Sequence, residues 1–150
     1  GLTPFSTVQN HYSVLTRGPE NDGVLDACRK YNIGLVPYFP LESGLLTGKY
    51  RKGAELPSGS RLEEWAELPH GAMFLQETMF DATEALIDYA VSRNRTILEL
   101  GLSWLAALPE IPSVIAGATT PEQIEANIAA CSWTLSDEER DAIEELRPAK

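Results

Sequence analysis

The chain has 150 residues, 43% of them apolar and 23% charged, a balance that suits one domain with a packed core rather than a disordered chain. Twelve basic against 22 acidic residues give a net charge of −10, which excludes nucleic acid and anionic membrane as general partners. No run of about 18 apolar residues occurs, so no helix crosses a membrane.

In chain order, Phe5 to Ser13 mixes β-branched, aromatic and polar residues and reads as a strand. It is followed by the turn-like Arg17-Gly18-Pro19. Val24 to Tyr31 carries Val24, Leu25, Ala27 and Cys28 at helical spacing and stops at Asn32. Ile33 to Tyr38 is a short apolar run ahead of Pro40, hence a buried strand. Strand, helix, strand with short links is a βαβ unit, which implies parallel pairing and a right-handed crossover.

From about Phe39 to Leu75 the chain is irregular and rich in glycine and proline; a connection of that length suggests a functional loop. Thr78 to Arg93 predicts a helix burying Phe80, Ala85, Leu86, Tyr89 and Ala90. Thr96 to Leu108 predicts another, burying Leu100, Leu102, Trp104 and Leu105. Pro112 to Gly117 reads as a third strand. Pro121 to about Ala130 is a helix with Thr120 as N-cap, Pro121 at its first position and Gln123 three residues after the cap. Ser136 and Glu139 open a last helix that ends before Pro148.

The fold class is therefore α/β, with about three parallel strands and surrounding helices. Three parallel strands leave two raw edges, so the pattern reads as part of a larger sheet. A start at Gly1 rather than Met adds the expectation that residues ahead of it were removed or lie outside the chain; no secretory signal is expected. Cys28 and Cys131 sit among apolar helical neighbours and are expected to be buried thiols in a reducing, cytoplasmic compartment. His11 and His70 stand alone, so no metal set is expected.

Two stretches could hold an anion. Lys49, Arg51, Lys52 and Arg61 place four of the twelve basic residues within 13 positions, directly after the second strand. Gly117-Ala118-Thr119-Thr120-Pro121 carries the third predicted strand into a capped helix, whose first-turn N–H groups and dipole favour negative charge. In a (β/α)8 barrel the loops after the last two strands build the phosphate pocket, so the pairing tells more than either loop alone.

The motif Pro40-Leu41-x-x-Gly44-x-Leu46-Thr47-Gly48-Lys49-Tyr50, with Gly117-Ala118-Thr119-Thr120-Pro121-Glu122-Gln123-Ile124-x-x-Asn127, resembles the aldo-keto reductase family. The likeness is strongest to the branch that includes bacterial aldo-keto reductases and potassium-channel β subunits. Val8-Gln9-Asn10-x-Tyr12 matches that family's sixth strand and Ile33 to Tyr38 its seventh.

The resemblance implies the C-terminal part of a (β/α)8 TIM barrel over residues 1–150. It implies binding of NADP(H) and reduction of a small-molecule carbonyl substrate by hydride transfer. Carried over residue by residue, Gln9 would bond the nicotinamide carboxamide and Tyr38 would stack on its ring. Phe39, Pro40, Leu41 and Ser43 would line the pyrophosphate path, and Lys49 and Arg61 would pair with phosphate oxygens. Gly117, Thr119 and Gln123 would sit at the adenosine 2′-phosphate and Asn127 at the adenine.

Gly117 and Gln123 stand where many members of the family have Lys and Arg. Ala126 stands where a Glu often precedes the Asn. The family's Asp, Tyr, Lys and His lie in its first half, so no residue here inherits the catalytic role. His11 and Tyr12, on the strand with Gln9, are expected to be core or supporting residues, with Gln9 and His11 on one face and Tyr12 on the other. Trp65, His70, Met73 and Phe74 are candidate pocket walls, or residues that pack the loop onto the barrel.

Three organisations follow. The chain is the C-terminal part of an ordinary reductase completed by the N-terminal half of the same barrel; or it is a cofactor-binding regulatory subunit without turnover; or it is a half barrel completed by a second copy. The isolated chain is expected to be inactive.

Overall fold

The computed structural model describes residues 3–147. Strands β1 (Thr7–His11) and β2 (Gly34–Tyr38) pair in parallel, with Gln9 opposite Val36 and His11 opposite Tyr38. Between them lie a single turn, α1 (Gly18–Asn21), and α2 (Val24–Tyr31). Helix α2 has the expected bounds for local reasons. Gly23 (φ 85°) and Asn32 (φ 54°) bracket it in left-handed conformation, and Asn32 N–H closes the end on Cys28 C=O. Asp26 in the first turn and Arg29 and Lys30 in the last complement the dipole, while Leu25 and Cys28 are buried.

A 3₁₀ segment (Glu42–Thr47) and the short α3 (Arg61–Trp65) interrupt the long connection after β2. Four helices follow: α4 (Glu77–Val91), α5 (Ile97–Ala106), α6 (Pro121–Ala130) and α7 (Asp137–Glu145). The capping boxes at Thr96/Glu99 and Ser136/Glu139 are complete in both directions, each worth about 1 kcal/mol. Helix α5 is buried along most of its length and forms the centre of the core, against Leu45, Leu46, Leu86, Trp133 and Ile143. Ser103 Oγ–H donates to Ala130 C=O at 2.7 Å and its oxygen accepts Trp133 N–H at 3.0 Å, which ties α5 to the end of α6.

Four expectations need correction. The third strand, Pro112 to Gly117, does not form, so the described sheet has two strands rather than about three. The chain touches β2 only at its start, where Leu35 N–H donates to Glu110 C=O at 2.7 Å. Pro112 then lacks an N–H to continue the ladder, and Ile115 is left half exposed. Cys28 is buried as expected, but Cys131 is exposed, because it is the C-cap of α6, a helix of which only Ala130 is buried.

The buried face of α4 is also rotated. Met79, Ala82 and Thr83 join Leu86 and Ala90 inside, while Phe80, Ala85 and Tyr89 are half-buried. Finally, the stretch from 39 to 75 packs into the core rather than lying free. Leu41, Leu45, Leu46, Tyr50, Leu62 and Phe74 are buried in it, and Tyr50 Oη accepts Leu62 N–H at 3.2 Å. Gly71 closes this stretch: a Cβ there would stand 1.9 Å from the Trp65 carbonyl oxygen.

Candidate functional site

Strands β1 and β2 end together at His11 and Tyr38, and the chain then turns through an unusual run of backbone. Phe39 (φ 51°), Glu42 (φ 48°), Ser43 (φ 54°) and Gly44 (φ 105°) all lie in the left-handed region. Each non-glycine residue held there costs on the order of 1 kcal/mol, so the surroundings must fix it. They do. Leu41, Glu42 and Ser43 are buried, and Gly44, Leu46 and Gly48 close turns back onto Leu41 and Leu45. The carbonyl of Gly44 also accepts Thr47 Oγ1–H at 2.8 Å.

The polar groups of this loop divide sharply. Arg51 grips Glu84 of α4 through Nε and Nη2, at 2.9 and 2.6 Å, and Lys52 pairs with Asp81 and Glu77. The Arg51 guanidinium, with Lys52 N–H, holds the Glu84 carboxyl below its usual range. Both cations are structural. Lys49 and Arg61, in contrast, meet no carboxylate among the described residues. Lys49 Nζ lies 4.9 Å from the centre of the Tyr50 ring, and Arg61 Cζ 5.5 Å from that of Trp65. Gly44 is what lets Lys49 fold back, since a Cβ there would stand 2.8 Å from Lys49 Cε. Beside it, the buried Ser43 hydroxyl has no hydrogen-bond partner among the described residues. The connection after β2 thus carries a buried hydroxyl and two cations that no carboxylate holds among the described residues.

Aromatic rings wall the same end of the sheet. Tyr38 is 43% exposed, and its inner face stacks on His11 at 5.6 Å between centroids and 26° between planes. Phe39 sits edge-on to Phe74 at 5.4 Å and to Trp65 at 6.3 Å, and Trp65 edge-on to His70 at 4.7 Å. Of the four candidate walls, Phe74 is buried as packing, Trp65 is half-buried, and His70 and Met73 face solvent. Gln9 is exposed on β1, two residues before His11 and on the same face.

The second stretch, Gly117 to Asn127, is built differently. Thr120 Oγ1 caps α6 by accepting Gln123 N–H at 3.3 Å. The Gln123 side chain does not complete the box: its Oε1 accepts from Thr119 N–H at 2.7 Å and from Thr119 Oγ1–H at 3.2 Å. Thr119 and Gln123 are thus brought together, while Gly117 lies exposed above them and Asn127 lies half-buried one turn below Gln123. The first turn already holds an anion of its own. Glu122 is kept below the usual carboxylate range by its backbone N–H and the Thr120 hydroxyl. No hydrogen bond or ion pair joins this turn to the loop after β2 among the described residues.

Two residues tempting as proton carriers are committed elsewhere. Tyr12 is fully buried, its Oη–H donates to Glu20 at 2.5 Å, and desolvation together with the Glu20 charge pushes its pKa well up. His11 Nε2 faces both carboxylate oxygens of Glu42 at 3.0 Å. Glu42 is the residue that sequence reasoning passed over. It occupies a position that the loop motif leaves unspecified, and its partners lie some 30 positions away. The available signal was a charged residue inside the largely apolar Pro40–Leu46 run.

The arrangement defines the C-terminal end of a parallel βαβ segment of a barrel, with a donor-rich loop at the strand ends. The glycerol dehydrogenase of Gluconobacter oxydans has this fold, matching 96% of the chain and 42% of its own at a TM-score of 0.74 and 24% identity. The family model for the Aldo/keto reductase family matches residues 1–148, and the chain belongs to that family. The L-glyceraldehyde 3-phosphate reductase of Escherichia coli O157:H7 is 32% identical over 95% of the chain and 41% of its own length. The NADH-specific methylglyoxal reductase of Escherichia coli K12 is 33% identical over 95% of the chain and 42% of its own length. The chain thus spans about two fifths of the length of these relatives.

Proposed function

We propose that the chain is the C-terminal, cofactor-holding part of an NADP(H)-dependent aldo-keto reductase, completed by the first half of the barrel. The observation that carries this reading is the donor set of the loop after β2: Lys49 and Arg61 without carboxylates, beside the orphaned Ser43 hydroxyl. A pyrophosphate is the group whose charge and acceptor oxygens match that set. When bound, the cofactor supplies the hydride that reduces a carbonyl.

This chain's residues bind and orient. Lys49 and Arg61 neutralise phosphate, Ser43 donates to it, and Phe39, Pro40 and Leu41 shape its path. Tyr38 offers its open face to the nicotinamide, and Gln9, on the adjacent strand, bonds the carboxamide. Gly117, Thr119 and Gln123 receive the adenosine 2′-phosphate and Asn127 the adenine, with Glu122 turning aside. The proton donor belongs to the first half, since Tyr12 and His11 are both engaged in internal pairs.

Preference for NADP over NAD rests on the turn at α6, where Thr119 and Gln123 replace a cationic grip by neutral donors. The test is titration of NADPH, NADH and 2′,5′-ADP against the complete barrel, followed by fluorescence. Tight NADPH binding that Lys49→Ala weakens supports the reading; affinity indifferent to Lys49 and Arg61 overturns it.

A further inference from the structure

At the junction of β1 and the loop after β2 lies a buried polar cluster that the proposed cofactor contacts do not use. Glu42 is fully buried in left-handed backbone at the loop's sharpest point. Its carboxylate accepts from His11 Nε2–H through both oxygens at 3.0 Å, and from Ser13 Oγ–H. Ser13 is itself fully buried. Its oxygen accepts Leu15 N–H at 3.0 Å and Thr16 N–H at 2.9 Å, so its single proton is free only for Glu42. A carboxylate out of reach of water is held only by such donors.

The His11 ring has a second neighbour. Its face lies against Tyr38, and it also meets Phe39 at 5.5 Å and Phe74 at 6.0 Å. The ring is therefore fixed at the nitrogen by Glu42 and at its plane by aromatic contacts. Tyr38, 43% exposed, has His11 as its stacked support, with the Phe39 ring edge-on to it at 5.6 Å.

We propose that Glu42 is a positioning residue: acting through His11, it holds the Tyr38 ring in the pose that receives the nicotinamide. The proposal rests on the reading that the nicotinamide lies on Tyr38. An unpinned Tyr38 would have to be ordered when the cofactor binds, which weakens nicotinamide-dependent affinity by about 5–10-fold. The adenosine end, held at Thr119, Gln123 and Asn127, would be unaffected.

Two measurements test this. In the complete barrel, nuclear Overhauser contacts between the His11 and Tyr38 rings are compared for the parent, Glu42→Ala and Glu42→Gln, with the Tyr12–Trp104 contacts as the control for folding. In the complete barrel, NADPH and 2′,5′-ADP affinities are measured for the same variants and for Tyr38→Leu. The expected result is loss of the His11–Tyr38 contacts in Glu42→Ala, with NADPH weakened about 5–10-fold and 2′,5′-ADP unchanged. Glu42→Gln, which keeps an acceptor for His11 and Ser13 and guards against a folding defect, should restore most of both. Ring contacts that survive Glu42→Ala, or an equal loss for both ligands, would overturn the proposal while leaving the cofactor reading intact. If Tyr38→Leu does not weaken NADPH, the cofactor reading falls and the proposal with it.

Discussion

The loop after β2 and the turn before α6 both resemble phosphate-holding segments, yet they are prepared for an anion in different degrees. The loop spends conformational energy on three non-glycine residues in left-handed backbone and buries a hydroxyl with no partner. The turn is relaxed and exposed, and its threonines and Gln123 satisfy one another. Glu122 occupies the dipole's positive end. An unsatisfied group must be matched by something, whereas a satisfied one must first be released. The loop is thus an anion site set in advance; the turn becomes one only by exchanging internal bonds for ligand bonds.

The largest test of that difference removes the loop's closure. Gly71→Ala would place a methyl against the Trp65 carbonyl, and we expect a loss of about 2–4 kcal/mol in denaturant unfolding. Hydrogen exchange should rise in residues 39–75 more than at α6. Next, Lys49→Ala should weaken NADPH by about 1–2 kcal/mol, roughly tenfold. Arg51→Ala, from the same basic cluster, should leave cofactor affinity unchanged and change stability little, since its pair with Glu84 is half exposed. Equal effects of the two on binding would erase the distinction between free and committed cations.

On the other side, Thr120→Ala should cost α6 about 1 kcal/mol, read as faster exchange at Gln123 N–H. Glu122→Gln should tighten 2′,5′-ADP by about twofold, because the resident charge no longer opposes the phosphate. A weakened affinity would mean that Glu122 helps rather than competes.

The smallest effect concerns acid. The folded-state pKa of Glu84 is depressed, so its contribution is complete above the unfolded carboxyl value of about 4.3 and declines as pH falls through the lower folded value. Stability of Glu84→Gln should therefore vary less with pH in that window than that of the parent.

What the sequence revealed and what it hid divide along the range of the interactions. The ends of α2, α6 and α7 are written in residues within four positions of each boundary: Asn32, Thr120 with Pro121, and Ser136 with Glu139. The β1–β2 pairing was equally accessible, because the short crossover through α2 leaves little choice of topology. The third strand failed at its start: Val114 to Ala116 has strand composition, but Pro112 has no N–H to carry the ladder on from Glu110 beside β2. Spacing placed Gln9 and His11 on one face and sent Tyr12 the other way, as the structure has them. It gave no hint that His11 would meet Glu42, because a contact across 31 positions leaves no local pattern. The resemblance had already set Lys49 and Arg61 apart from Arg51 and Lys52 as candidate phosphate contacts; packing adds that Arg51 and Lys52 are held by Glu84, Asp81 and Glu77.

Arg17 has a consequence for how such a chain is completed. Its guanidinium lies 4.3 Å from the Trp104 ring centre of α5 and donates to Glu20 of α1 and to Glu144 of α7. The last of these contacts spans 127 positions. A loop of that length closes late and slowly. During synthesis the first βαβ unit can form well before α7 exists, but its buried arginine must wait for the end of the chain to supply its second carboxylate. The segment is sealed from its far end, and shortening α7 should leave a βαβ unit that pairs its strands yet holds a half-satisfied cation against Trp104.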